Sequence, residues 1–160
     1  MRRESQVRIF LVANGPHTPA RLAEEPQVDQ DAKTAGASRA RVLVADDDTA
    51  VRRFLRTVLE EAGYEVTEAS DGRQAERGAL DPGIDLLIID LVMPNQEGIE
   101  TIRDLRSRRP KLPILAISGV GDVMTYLNVA RLLGAEECFA KPIIPAKLLS
   151  AVRRSLQTQR

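Results

Sequence analysis

The residues that could do chemistry stand directly after apolar runs. Asp46, Asp47 and Asp48 follow VLVA at 42–45, Asp90 follows LLII at 86–89, Ser118 follows ILAI at 114–117, and Lys141 follows the run Glu136–Ala140. Carboxylates brought close together raise one another's pKa unless a cation neutralises them. Ligation by two or three carboxylate oxygens, with water completing an octahedron, suits Mg²⁺. A divalent ion beside the Lys141 ammonium would make a pocket that is positive on two sides. Such a pocket fits the oxygens of a phosphoryl group in transfer, where catalysis is mostly positioning and charge neutralisation. Asp90 is then the carboxylate nucleophile, and the Ser118 hydroxyl a donor to a phosphate oxygen. Each residue taken alone has an ordinary explanation. Asp48 or Thr49 reads best as a helix N-cap, a serine after a strand is commonly a turn residue, and a lysine before proline is commonly solvated. Their succession along the chain is what carries the chemical reading.

The elements that must position these residues alternate between strand and helix. Val42–Ala45 reads as a strand, followed by a helix over 49–62 with Val51, Phe54, Leu55, Val58 and Leu59 on its apolar side and Arg52, Arg53 and Arg56 toward the other. Gly63 is placed to end that helix. A strand over 64–69, a helix over 73–80, a strand over 84–89 and a helix over 98–109 follow, the last stopped by Pro110 and Pro113. Strand 114–117, helix 123–133, strand 136–140 and helix 145–156 complete the pattern. The run Leu86–Ile89 is continuously apolar rather than alternating, as in a strand buried on both faces of a parallel sheet. Five strand–helix units with right-handed crossovers give parallel strands with helices on both faces. In such open sheets, ligands collect at the carboxyl ends of the strands.

The bulk properties exclude several classes. The chain has 160 residues, with 23 basic against 23 acidic, so composition gives no sign of direct nucleic-acid binding. Its one cysteine, Cys138, rules out an intrachain disulfide and suits a reducing, cytoplasmic setting. Asp90 interrupts the longest apolar stretch, leaving nothing long enough to insert in a membrane. Residues 1–40 lack sustained periodicity and are broken by Gly15, Pro16, Pro19 and Pro26. They read as a disordered extension, with the apolar piece 7–13 and the lone His17 outside any packed core.

Residues 41–157 resemble the receiver domain of two-component response regulators. The resemblance rests on the acidic pair in VLVADDD, the block IDLLIIDLVMPNQEG, the strand ILAIS and the ending FAKP, with ASDGRQA and LLGAEE in support. It implies a flavodoxin-like doubly wound (βα)5 fold, a five-stranded parallel sheet of strand order 2-1-3-4-5. It further implies Asp90 as phosphoacceptor and Mg²⁺ (or Mn²⁺) held by Asp46, Asp47, Asp90 and the backbone carbonyl of Val92. Ser118 and Lys141 would contact the phosphoryl group, and the Lys141–Pro142 peptide would be cis. The implied donor is a sensor histidine kinase or a histidine phosphotransfer protein, and the only catalysis is of the domain's own phosphorylation and dephosphorylation. The implied output is a downstream protein bound on the face of helix 4, strand 5 and helix 5, which includes Tyr126, Arg131, Lys147 and Arg153. With no room for an output domain after residue 157, the chain reads as a single-domain regulator.

Three features depart from the family pattern. Many receivers carry Tyr or Phe at the switch position that pairs with Ser118; here it is Cys138, with Phe139 expected on the opposite face of the strand. Val92 and Val120 stand where polar groups often lie near the phosphoryl, so neither orients a water. An extension precedes the domain. Two other readings compete. A haloacid dehalogenase-type phosphatase would use Asp46-x-Asp48, but its motif leaves Asp90 without a role. A phosphorylation-independent interaction module on the same fold would not need the intact Asp46, Asp47, Asp90 and Lys141.

Overall fold

Strand registers decide where the polar residues end up. The computed structural model describes residues 39–93, 98–119 and 123–158. The chain divides between Gly36 and Ala37, and all described residues fall in the second unit. Residues 1–38, with His17 and the apolar piece at 7–13, lie outside the described residues. Five strands, β1 (Arg41–Ala45), β2 (Glu65–Ala69), β3 (Leu86–Asp90), β4 (Ile114–Ser118) and β5 (Glu137–Ala140), form one sheet in the order β2-β1-β3-β4-β5. Every pair is parallel. Ala45 is level with Ile89, so Asp46 and Asp90 are the next residues on neighbouring strands. Asp90 is level with Ile117, and Ser118 with Ala140, so Ser118 and then Lys141 continue along the same edge.

The helices are α1 (Thr49–Glu61), α2 (Gly72–Ala79), α3 (Gly98–Arg108), α4 (Val123–Leu132) and α5 (Pro145–Gln157). Period-two alternation splits the core into two layers. Val42, Val44, Leu86, Ile88, Leu115 and Ile117 face Leu55 and Leu59 of α1 and Leu148, Ala151 and Val152 of α5. Leu43, Leu87, Ile89 and Ala116 face the other way, onto Ala75 and Ala79 of α2, Ile102 and Leu105 of α3, and Leu127 and Ala130 of α4. This explains the uninterrupted apolar run in β3, whose five residues are all buried. Burying one Leu or Ile contributes about 1.5–3 kcal/mol, so β3 is the best-anchored support available for Asp90. Among the described residues, no helix is long and apolar enough to cross a membrane.

Helix ends are closed by local chemistry. Asp48 is the N-cap of α1 and accepts from Ala50 N at 2.7 Å. Asp71 caps α2 by accepting from Gln74 N at 2.8 Å, while Gln74 Oε1 accepts from Ser70 N in return. Gly63, with φ of 91°, turns the chain out of α1 in the left-handed region that disfavours side chains. Most sequence-derived boundaries agree to within one residue. The exception is β3, which starts at Leu86 rather than residue 84, because Ile84 N is committed to the turn carbonyl of Asp81 at 3.0 Å.

Two side chains of α1 do not lie where their periodicity predicts. Phe54 is 42% exposed, at the margin of the apolar stripe, whereas Leu55 and Leu59 are fully buried. Arg52 is not on the solvated side; its side chain is largely buried against the loop after β1. Leu59→Ala is accordingly expected to lower the free energy of unfolding by about 2–5 kcal/mol, and Phe54→Ala by no more than about 0.5 kcal/mol, as read from urea denaturation monitored by circular dichroism.

Candidate functional site

The same turn is used twice at the carboxyl edge of the sheet. Asp46, one residue beyond β1 and fully buried, accepts at Oδ1 from Asp48 N at 2.9 Å. Asp90, the last residue of β3 and 4% exposed, accepts at Oδ1 from Val92 N at 3.0 Å. Each carboxylate thereby bends its own loop and is locked in rotamer by it. The two Oδ2 atoms are left facing Lys141, whose ammonium lies 2.5 Å from Asp90 Oδ2 and 2.9 Å from Asp46 Oδ2. The first contact is an aligned hydrogen bond; the second is an ion contact, and Asp46 Oδ2 has no hydrogen bond among the described residues.

Lys141 reaches this position because its backbone N–H donates to Ser118 O at 2.8 Å, extending the β4–β5 ladder by one residue. A Cβ on Gly119 would come within 2.8–2.9 Å of the lysine stem, so the glycine makes room for it. The Lys141–Pro142 peptide is cis. Ser118 Oγ is buried and has no partner among the described residues. Asp47 is exposed at the rim.

Burial pushes the Asp46 carboxyl above its ordinary range, with the neighbouring charge of Asp90 adding to the effect; hydrogen bonding and Lys141 only partly offset it. Burial alone would lower the Lys141 ammonium. Its contacts with Asp90 and Asp46 outweigh that, and the net direction is upward, so the lysine is held charged. One carboxylate oxygen each from Asp46, Asp47 and Asp90 can lie within 4.8 Å of the others. Together with the poorly satisfied Asp46 Oδ2, this all-oxygen set fits a small hard divalent cation.

Two contributors were not anticipated from the sequence. Arg52 donates through one terminal nitrogen to both Asp46 O at 2.8 Å and Asp47 O at 3.0 Å. The available signal was its place in the first turns of α1, where a cation opposes the helix dipole and needs an acceptor of its own. Gly98 is the other. A Cβ there would lie 2.1 Å from Asp90 O and 2.8 Å from Leu91 Cα, so any side chain would displace the Asp90 loop. Its N–H donates to Leu91 O at 3.1 Å.

The profile of the response regulator receiver domain matches residues 42–153. The chain belongs to the response regulator receiver family. Among curated relatives, it is 36% identical over 121 residues to the DNA-binding transcriptional regulator NtrC of Azospirillum brasilense, covering 76% of this chain and 25% of that protein. It is 31% identical over 117 residues to the transcriptional regulatory protein ResD of Bacillus subtilis, covering 73% and 48%. The chain thus spans between a quarter and a half of the length of these relatives. Among solved structures, a CheY-like receiver domain protein from Methanospirillum hungatei superposes with a TM-score of 0.71 at 27% identity, covering 76% of this chain and 97% of that one. Chemotaxis protein CheY4 of Vibrio cholerae superposes with a TM-score of 0.66 at 32% identity, covering 74% and 100%. The flavodoxin-like sheet order and the two-component assignment read from the sequence both stand.

Within this receiver, Cys138 packs into the α2–α3–α4 layer and donates from Sγ to Leu127 O at 3.5 Å, while Phe139 packs into the α1–α5 layer. Burial raises the Cys138 thiol above its usual range. Of the residues expected on the α4–β5–α5 face, Arg131, Lys147 and Arg153 are exposed, but Tyr126 is half-buried against the core. Val120 and Pro94 lie outside the described residues.

The raised Asp46 pKa has a consequence for stability. A carboxyl raised on folding contributes stability below its ordinary pKa of 3.8, and that contribution is lost as pH rises through the folded value. At neutral pH the ionised Asp46 therefore costs the metal-free fold more than Lys141 returns. Asp46→Asn is expected to raise the Tm of the metal-free protein at pH 7 by a few degrees, with the gap closing as pH falls toward 3.8. The same substitution should abolish the Mg²⁺-dependent rise in Tm, as read by calorimetry.

Proposed function

We propose that this chain is a response regulator that accepts a phosphoryl group on Asp90 from a sensor histidine kinase or histidine phosphotransfer protein. It then signals by contact with a downstream protein or by passing the phosphoryl group on. The observation that carries the reading is the shared Lys141 contact: one ammonium lies between the facing oxygens of two buried carboxylates at adjacent strand ends, leaving a net negative charge for a cation. Asp46, Asp47 and Asp90, with the Val92 carbonyl, would hold Mg²⁺ or Mn²⁺. The ion, when bound, supplies charge neutralisation for the phosphoryl oxygens.

Asp90 is the nucleophile of the proposed transfer. Its Oδ1 is fixed by Val92 N, which orients the carboxylate. A new bond from an Asp90 carboxylate oxygen to phosphorus replaces the phosphorus–nitrogen bond of a phosphohistidine donor, or the phosphorus–oxygen bond of acetyl phosphate. Lys141 loses one of its two carboxylate partners when Asp90 becomes an acyl phosphate, and the ammonium is then available to a phosphoryl oxygen. The Ser118 hydroxyl, buried at the adjacent strand end and unpartnered among the described residues, donates to another. The domain acts on itself rather than turning over a substrate. The output contact is proposed on the α4–β5–α5 face, where Arg131, Lys147 and Arg153 are exposed.

Incubation with acetyl phosphate and Mg²⁺, followed by mass spectrometry, is expected to place the label on Asp90, and Asp90→Asn to abolish it. Label on Asp46 accompanied by turnover would instead indicate a phosphatase, and no label with any donor a phosphorylation-independent module. Val92 is only half-buried beside Asp90 but has no polar group to orient an attacking water. Self-dephosphorylation is therefore slow in this reading. Val92→Asn is expected to shorten the acyl-phosphate lifetime by roughly tenfold, about 1.4 kcal/mol in the hydrolytic barrier; an unchanged decay in a time course would refute the role given to Val92.

A further inference from the structure

We propose that Arg52 is a positioning residue for the cation site, acting through the backbone of Asp46 and Asp47 and not by touching the ion. This rests on the reading of Asp46, Asp47 and Asp90 as the cation-binding set. All three guanidinium nitrogens are engaged. One terminal nitrogen bridges the carbonyls of Asp46 and Asp47, the other donates to Thr49 Oγ1 at 3.0 Å, and Nε lies 3.3 Å from Glu68 Oε2. Glu68 is in turn held by Arg56, whose terminal nitrogen lies 3.0 Å from Glu68 Oε1, and Arg56 pairs with Glu60 at 3.1 Å. The acidic loop is thereby tied to β2 and to the second turn of α1.

Asp47 is the member of the set that most needs such support. Asp46 and Asp90 each have a hydrogen bond from a following N–H to fix the carboxylate, but Asp47 is exposed at the rim. Bridging two successive carbonyls fixes the peptides on both sides of Asp47, and so the direction in which its side chain leaves the loop. A planar guanidinium can do this with one nitrogen while its other N–H groups reach Thr49 and Glu68. An ammonium on a flexible stem cannot satisfy the same set of acceptors at once. Glu68 has a second consequence. It offsets the positive charge of Arg52, which would otherwise oppose a divalent cation in the neighbouring carboxylate cluster.

Positioning and simple charge repulsion make opposite predictions. If Arg52 acted on the site only through its charge, removing that charge would tighten cation binding. If it positions the loop, removal loosens binding, on the scale of about 10–100-fold found for groups that orient metal ligands from behind. The test is the affinity of the full, unphosphorylated chain for Mn²⁺, read from the free-ion signal in electron paramagnetic resonance. Measurements are made well below each variant's Tm. Asp46→Asn and Asp47→Asn first locate binding at the acidic set; if neither weakens it, the cation reading itself fails and takes this proposal with it.

With that established, Arg52→Met is expected to weaken Mn²⁺ binding about tenfold or more. Arg52→Lys, which keeps the charge but not the fork, is expected to weaken it to a lesser degree. Leu59→Ala, destabilising but remote from the loop, is expected to leave the affinity unchanged. Equal or tighter binding in Arg52→Met overturns the proposal while leaving the cation reading intact. Equal weakening in Leu59→Ala overturns it as well, since the effect would then be general loosening. Should Arg52→Met not fold, Arg52→Lys decides alone, and wild-type affinity in that variant overturns the proposal.

Discussion

Three charges meet at the end of two strands, and most of the fold is arranged to keep them there. Lys141 holds the facing oxygens of Asp46 and Asp90, both almost wholly removed from solvent. Removing Lys141 would leave both carboxylates buried without their shared cation, which costs far more than the intact group contributes. The arrangement is therefore tolerated only where the backbone leaves no alternative. β1, β3 and β4 supply that rigidity, with each strand buried on both faces by separate helix layers. Parallel registers then fix the polar residues as successive steps along one edge.

The glycines and the arginine around the site follow from the same constraint. Lys141 can cross from β5 to the carboxylates only because Gly119 offers no side chain to its stem. The Asp90 loop can close only because Gly98 allows the start of α3 to approach the backbone of Asp90 and Leu91. A substitution at either glycine would move a charge relative to its partners rather than simply loosen packing. The site is thus unevenly protected: two carboxylates are locked by their own loops, while Asp47 depends on the peptide that Arg52 holds.

Most of the fold was legible in the sequence, and the reason is physical. Continuous apolar runs can be buried on both faces only in a sheet covered twice, and a polar residue after each run marks where the strand surfaces. Local pattern therefore carried the parallel strands, the helices and the polar residues at the strand ends, while the strand order and the choice of Asp46 and Asp47 came from the resemblance to receiver domains. What escaped it were relations between segments. Phe54 belongs to the apolar pattern of α1, yet the stripe that meets the sheet is centred on Leu55 and Leu59, leaving it at the margin. Arg52 looks like surface charge until the loop before the helix folds back under it. Gly98 looks like an unremarkable helix start, since a close approach to another backbone leaves no mark in local sequence.

Cys138 shows how a single departure redistributes work within a shared architecture. A bulky aromatic at this position could sweep a large volume between inward and outward rotamers; a thiol cannot. Its contacts are instead with α4, through the Leu127 carbonyl and the layer containing Leu127 and Ala130. Phe139, the only aromatic on β5, is committed to the opposite layer with α1 and α5. The hydroxyl of Ser118, unpartnered among the described residues, and the half-buried thiol of Cys138 thus lie on adjacent strands, with the one ring of β5 on the other layer. Tyr126, the one aromatic of α4, is half-buried and packs against the same layer as Cys138.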